Sequence, residues 1–429
     1  MHDVLKKVIG DIEVSKDLIL LLVIGGLYAL GIALSNTFVN VYLWKQSGEF
    51  LDLALYNLTS VIMQPLTFIL AGRWAKKIDR VIVLRLGVIF LSIFFSTVLM
   101  LGEKANQFLI LLGGLLGIGF GFYWLAFNVL TFEITEPETR DFFNGFLGLL
   151  TSFAGMIGPI LSGFLITKME KMTGYTVIFA LSLGLFILAV IISFMLKRRA
   201  AKGGFHFRAV LKERKHNKNW GRIIHAHFFQ GLREGTFAFV IVVWVYVTTK
   251  SELAIGTYGL VASATSFVAY YLATRLIKPS FRKKSILIGG LVLYAALFLI
   301  VFKLTFPRLI MYGIVISIAY PFLLVPYVSL TYDVIGKAKG AKDMRVEYIV
   351  VRELFLNLGR ITSICLFILT ISVLPEKKGI PLLFLIVGAG HTVIYWFIRN
   401  IRFPAKKHVP SYMFARQKNG EGGPGNSTV

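Results

Sequence analysis

Long apolar stretches separated by short polar ones run through almost the whole chain. A bilayer core about 30 Å thick needs roughly 20 helical residues to cross it. Twelve stretches meet that length, at about 18–44, 53–72, 81–102, 107–131, 143–167, 174–196, 222–248, 255–277, 285–304, 308–332, 346–374 and 379–400. They lack the two-residue alternation of barrel strands, so each is predicted as a transmembrane helix. The longest internal polar segment, 197–221, parts them six and six. The expected organisation is a cytoplasmic N-terminus (1–17), a six-helix bundle (18–196), a basic cytoplasmic linker (197–221), a second six-helix bundle (222–401) and a disordered cytoplasmic tail (402–429).

Composition excludes the soluble alternatives. Of 429 residues 56% are hydrophobic and 16% charged, with mean hydropathy +0.73. A soluble fold of this size has too few polar side chains here to cover itself, and a disordered chain would be far less apolar. The net charge of +24 would suggest nucleic acid in a soluble protein. Here the 46 Lys and Arg cluster in alternate loops. With the N-terminus inside, the outside loops hold only Lys45, Lys104, Lys168, Lys171, Lys250, Lys303, Arg308, Lys377 and Lys378. That asymmetry places both termini in the cytoplasm and the chain in the plasma membrane, with no nucleic-acid partner. The apolar run after residue 17 is too long for a cleaved signal and is expected to stay as an anchor. Cys365 is the only cysteine, so neither an internal disulfide nor a cysteine metal cluster is expected, and no cofactor is implied.

The two halves resemble each other at an offset near 200 residues. Leu130-Thr131-Phe132-Glu133 ends the fourth run and Leu330-Thr331-Tyr332-Asp333 the tenth. Gly26-Leu27 precedes Tyr28 in the first run, and Gly231-Leu232 precedes Arg233 in the seventh. Ala71-Gly72-Arg73 and Ala273-Thr274-Arg275 close the second and eighth. A parallel duplication of six helices is one of the known transporter plans.

From residue 18 to about 401 the chain resembles the major facilitator superfamily. Gly72-Arg73-Trp74-Ala75-Lys76-Lys77-Ile78-Asp79-Arg80 is similar to that family's Gly-x-Leu-Ala-Asp-Arg-x-Gly-Arg loop, with Lys76 in the place of the Asp and Asp79 in the place of the second Gly. The family's charge relay therefore does not carry over intact. Ala154-Gly155-Met156-Ile157-Gly158-Pro159-Ile160-Leu161-Ser162-Gly163 is similar to the Gly-Pro motif of family exporters, whose content is close helix approach and a bend. Gly113 stands where drug exporters of the family carry an Arg. The resemblance implies two pseudo-symmetric bundles that rock around a central site.

Ionisable groups in a membrane interior are costly and are functional candidates. Arg233 and Glu234 lie about 16–18 Å into the seventh run. Gln230 shares their face and His227 lies one turn earlier. Arg233 is the expected anion anchor and Glu234 the expected proton carrier, against the alternative of a structural ion pair. In the eleventh run Glu353, Asn357 and Arg360 form a second stripe, with Arg352 off it by about 100°. Substrate contact by Asn357 and Arg360, proton coupling by Glu353, and structural pairing of Arg233 with Glu353 or Arg360 with Glu234 all remain open. The first half offers Tyr28, Asn36, Asn40, Gln64, Tyr123, Trp124 and Asn128 as substrate contacts. The pairs Tyr320-Pro321 and Pro326-Tyr327 mark bends in the tenth run.

For gating the candidates are Arg73, Asp79, Arg80, Glu133, Asp333, Gly158 and Pro159. Glu133 and Asp333 are expected to bridge the halves or to end their helices against basic loops. Near them in sequence lie Glu136, Glu138, Arg140 and Asp141, and Lys337, Lys339 and Lys342. The chain lacks a P-loop, so its energy source is a gradient. The reading is a monomeric, proton-coupled symporter or antiporter for a small anionic, zwitterionic or amphiphilic solute. The alternatives are a flippase for a lipid or lipid-linked headgroup on the same fold, a multispan enzyme, or a non-transporting scaffold.

Overall fold

The computed structural model describes residues 15–134, 137–169, 172–198, 203–341 and 343–402. The tail beyond 402, almost all of the N-terminal segment, and the side chains of Glu136, Glu138, Arg140, Asp141 and Lys342 lie outside the described residues.

Among the described residues the chain is helical, and it crosses the apolar layer twelve times. In the first half the crossings are α1 (Lys16–Ser47), α2 (Phe50–Lys77), α3 (Arg80–Leu101), α4 (Leu109–Ile134), α5 (Pro137–Lys168) and α6 (Thr173–Ser193). A short helix, Phe207–Glu213, lies in the linker. The second half has α7 (Lys218–Thr249), α8 (Glu252–Leu276), α9 (Arg282–Val301), α10 (Phe306–Gly336), α11 (Arg345–Val373) and α12 (Glu376–Ile398). By apolar length alone α3 and α4 run together as one stretch, Arg80–Thr131. The 3-10 turn Gly102–Phe108 divides it, starting at Gly102 with φ 51° and ψ −126°, a conformation open to glycine. The two pieces pack side by side as a hairpin.

Helix starts follow local chemistry. Ser15 accepts from the Leu18 amide to cap α1, Asp79 from the Val81 amide to cap α3, and Asn217 from the amides of Asn219 and Trp220 to cap α7. Asp79, expected as a gating residue, is thus a buried cap.

The helix pairs of one half recur in the other. α1 packs on α5 and α6, α2 and α3 on α4, and α3 on α6. Likewise α7 packs on α11 and α12, α8 and α9 on α10, and α9 on α12. The sequence repeat has a structural counterpart at its acids. Glu133 at the end of α4 pairs with Arg80 at the start of α3 at 2.6 Å, and Asp333 at the end of α10 pairs with Arg282 at the start of α9 at 2.9 Å. Of the two roles expected for these acids, the pairs formed among the described residues fit the second, closure against a basic helix start. Each of these pairs closes a helix hairpin inside its own half, because the acid and the arginine sit at one end of two adjacent antiparallel helices.

The halves meet through α5 against α8 and α2 against α11. At the first seam a Cβ on Gly256 would lie 2.6 Å from the Pro159 carbonyl oxygen, and one on Gly259 would lie 2.7 Å from the Pro159 side chain. Gly158 faces Ala33 of α1 at 2.7 Å. Gly158 and Pro159 thus form a close-packed junction, as the motif predicts.

The tightest crossing joins α7 and α11. A Cβ on Gly359 would overlap the Phe228 carbonyl oxygen, and one on Gly231 the Leu356 carbonyl oxygen. Backbone cannot withdraw as a side chain can. Gly359→Val is expected to destabilise by about 3 kcal/mol, the upper end for overpacking. Gly184→Ala, where nothing lies within 4 Å, is expected to be neutral. Unfolding of both variants in mixed micelles checks this.

Candidate functional site

A cavity of about 900 Å³ lies between the halves. Its depth is set by the α7–α11 crossing. Glycines at 231, 235 and 359 bring the two backbones together, and the Thr236 hydroxyl fixes the register by donating to the Ser363 carbonyl oxygen at 3.1 Å. One turn away, Arg360 of α11 meets Glu234 of α7 at 2.7 Å.

Glu234 is fully engaged. Besides Arg360, its carboxylate accepts from Gln230 Nε2 at 2.9 Å and from the Tyr320 hydroxyl at 3.1 Å. Of the two structural pairings left open above, Arg360 with Glu234 is the one formed. Glu353 pairs with its chain neighbour Arg352 at 2.5 Å rather than with Arg233. Asn357 accepts from Arg360 at 3.4 Å and donates to the Glu353 carbonyl oxygen.

Arg233 is placed differently. It is 6% exposed, donates from Nη2 to the Tyr312 hydroxyl at 2.8 Å and lies 3.3 Å above the centre of the Phe237 ring. Its Nε has no partner. Among the described residues no carboxylate lies within ion-pair distance of Arg233. The cavity wall carries Arg233, Arg352 and Arg360 against Glu234 and Glu353, so the surplus cation is Arg233.

His227 and Gln230 do not line the cavity. His227 Nδ1 lies 2.9 Å from Gln230 Oε1 and Nε2 lies 3.3 Å from the Thr331 hydroxyl. The pair backs Glu234 from behind the wall. Gln230, expected to contact substrate, acts on this geometry through Glu234.

The wall from the first half is neutral. It presents Asn36, Asn40, Asn57, Gln64 and Asn128 with Tyr56, Phe120 and Trp124, while every charged lining residue comes from the second half. Asn57 donates to Asn40 at 2.8 Å. Of the aromatic candidates only Trp124 faces the cavity. Tyr28 and Tyr123 stack behind it at 3.8 Å between centroids, with the Trp124 ring roughly perpendicular to Tyr28 at 5.3 Å between centroids. On α4, residues 123 and 124 point about 100° apart, so both cannot share one wall.

Among the described residues two ion pairs cross between the halves, one at each membrane face. At the face that carries the linker, Lys76 meets Glu347 at 2.6 Å and also donates to the carbonyl oxygens of Asp343 and Gly204. Glu347 is completely buried and accepts the His206 amide as well. At the opposite face Lys45 meets Glu252 at 2.8 Å, and Glu252 accepts from the Tyr175 hydroxyl at 3.0 Å. Neither pair was among the expected gates. Arg73, which was, is exposed. The signal for Glu347 was its place in the first turn of the eleventh helix, opposite a loop whose usual Asp is Lys76.

These geometries belong to a widespread plan. The family model for the Major Facilitator Superfamily matches residues 21–361. The YqgE protein of Bacillus subtilis (strain 168) is 65% identical over 403 residues, which is 94% of each chain. Among solved structures, the human organic anion transporter MFSD10 (TETRAN) is similar with a TM-score of 0.65 at 15% identity, covering 90% of this chain and 100% of its own. An outward-facing bacterial homologue of the iron transporter ferroportin is similar with a TM-score of 0.65 at 16% identity, covering 90% and 99%. At these identities the solved structures bear on the fold alone.

Removing Lys76 leaves the Glu347 carboxylate buried without its cation. Lys76→Met is expected to destabilise by about 3–5 kcal/mol, the cost of orphaning a buried charge. Lys76→Met with Glu347→Leu is expected to recover most of that. A thermal double-mutant cycle on purified protein measures the difference.

Proposed function

This chain belongs to the Major Facilitator Superfamily, and we propose that it moves a small anionic or zwitterionic solute across the membrane by proton-coupled alternating access. Membership makes it a membrane transporter and not an enzyme. The single observation that carries the substrate reading is Arg233, a buried cation in a cavity whose carboxylates are both held by other arginines. A guanidinium out of water without a counter-charge is costly, and the Phe237 face and Tyr312 offset only part of that. An anion in the cavity supplies the rest.

The neutral wall complements this anchor. Carboxamides offer donors and acceptors together, so the remainder of the solute is polar but uncharged, or carries a single positive group near Glu353. Arg233, Arg360, Gln64, Trp124 and Asn128 contact it in this reading, while Asn357, fully buried off the wall, holds Arg360 from behind. Glu234 and Glu353 are the coupling carboxylates. Protonation of either frees an arginine, and for Glu234 the Arg360 contact must first part.

The Lys45–Glu252 and Lys76–Glu347 pairs serve as alternate gates, since rocking one face open separates the halves there while the other face stays joined. We place the linker face in the cytoplasm and the chain in the plasma membrane, on the Lys and Arg asymmetry. The cavity is complete within one chain, which suits a monomer. One observation favours a second reading, an amphiphilic or lipid-like solute: an apolar cleft lined by Leu149, Leu150, Phe153, Met156 and Phe267 opens between α5 and α8.

Thermal shift with lactate, gluconate, glycerol 3-phosphate and dodecyl phosphate tests both. A bound anion at 100 times its Kd stabilises by about 2.7 kcal/mol. At least one of the first three is expected to raise the Tm of the wild type, and Arg233→Gln is expected to lose that shift. A shift with dodecyl phosphate alone would favour the amphiphile, and a shift that survives Arg233→Gln would remove Arg233 as the anchor.

A further inference from the structure

His391 lies in the apolar run of α12, directly after Gly390. It is 3% exposed and lines the cavity, yet neither ring nitrogen has a hydrogen-bond partner. Buried polar groups are almost always partnered, and those that are not call for an explanation. Here the unpartnered groups gather. α12 presses so closely on α7 that a Cβ on Gly390 would lie 3.2 Å from Arg233 Cβ, and Arg233 Nε is also without a partner. An orphaned guanidinium nitrogen and two orphaned imidazole nitrogens thus belong to one corner of one cavity.

The surroundings of His391 define what completes them. α7 presents Arg233 and Glu234 to it, and α10 presents the Tyr320 ring at 5.7 Å between centroids. α9 offers backbone at Gly290, and α11 reaches the corner through Arg360, which is committed to Glu234. Tyr312 is taken up by Arg233. A proton on His391 alone would set a second cation beside Arg233 with nothing between them. An acceptor that carries a negative charge satisfies Arg233 Nε and an imidazolium N–H together.

We propose that Arg233 and His391 form the subsite for the substrate's carboxylate or phosphate group, and that His391 takes up the proton that travels with it. The inference rests on the anionic reading above; it names that reading's head-group site and puts the substrate's proton on His391 in place of the carboxylates Glu234 and Glu353. The anion settles against Arg233 first; one ring nitrogen of His391 then takes a proton from water and donates it as a hydrogen bond to the anion, and the proton leaves when the anion leaves. Empty, the corner holds one surplus positive charge. A monoanion neutralises it, and a proton taken up with the anion restores it, so anion and proton together enter without a net change in buried charge. Glu234 already accepts from three donors, and a proton on it would weaken the Arg360 contact, whereas His391 has no partner to lose.

Calorimetric titration of purified protein with lactate, gluconate and glycerol 3-phosphate, in HEPES and in Tris, counts protons taken up per anion bound. The wild type is expected to take up about one proton per anion, with affinity rising as pH falls from 8 to 6. His391→Gln, or His391→Asn if the first does not fold, is expected to bind with no uptake and with affinity independent of pH over that range. Arg233→Gln is expected to lose binding. Wild-type binding without proton uptake overturns the proposal and leaves the anionic reading standing, provided Arg233→Gln still loses the anion. Uptake that survives in His391→Gln but disappears in Glu234→Gln moves the proton to Glu234 and overturns it as well. No binding of any of the three anions by the wild type overturns both.

Discussion

Everything at the centre of this protein depends on compensating charge where water is scarce. The decisive contact is Glu234 with Arg360, formed where α7 and α11 cross on glycine. Bulkier residues at 231 or 359 would hold the backbones apart, and the two side chains would no longer meet. Once that pair forms and Arg352 closes on Glu353, the cavity has one cation to spare. The chemistry of the site is therefore a remainder, set by which charges are already spoken for.

The duplication supplies the frame and then departs from symmetry. Helix pairs recur from half to half, and the acid at the end of α4 or α10 closes the same hairpin through an arginine. Equivalent glycines face equivalent helices, though not equally closely: a Cβ on Gly26 of α1 would meet the Leu150 side chain of α5, and one on Gly231 of α7 the Leu356 carbonyl oxygen of α11. Function lies in the differences. The first half lends the cavity carboxamides and aromatic rings, the second lends it all of its charge. In the proposed reading one half grips the solute's charged head and the other its neutral body.

The contacts between halves follow a similar logic. The central seams are glycine, proline and apolar side chains, which slide or part with little electrostatic cost. Charge appears at the two rims, as Lys76 with Glu347 and Lys45 with Glu252. At the linker rim the cation stands in the last turn of α2 and the anion in the first turn of α11, so an Asp at position 76 would repel Glu347 where Lys76 holds it.

Much of this is legible in the sequence. Twelve apolar runs, their halving at the linker and the repeated Leu-Thr-aromatic-acid ends are local properties, and helix in a membrane is a local solution because each backbone group finds its partner within four residues. Arg233, Glu234, Glu353 and Arg360 stood out for the same reason, as charges in runs that otherwise exclude them. Partnership was not legible. Whether Arg233 or Arg360 holds Glu234, whether Tyr123 or Trp124 faces the cavity, and whether Glu133 ties two halves or two neighbouring helices all depend on rotations and depths that side chains on other helices impose. His391 and Glu347 looked ordinary along the chain, one a lone histidine in an apolar run and one an acid at a helix start. Composition and periodicity determined a duplicated membrane bundle with costly charges in it, and packing between distant helices alone decided which of those charges would be left wanting a partner.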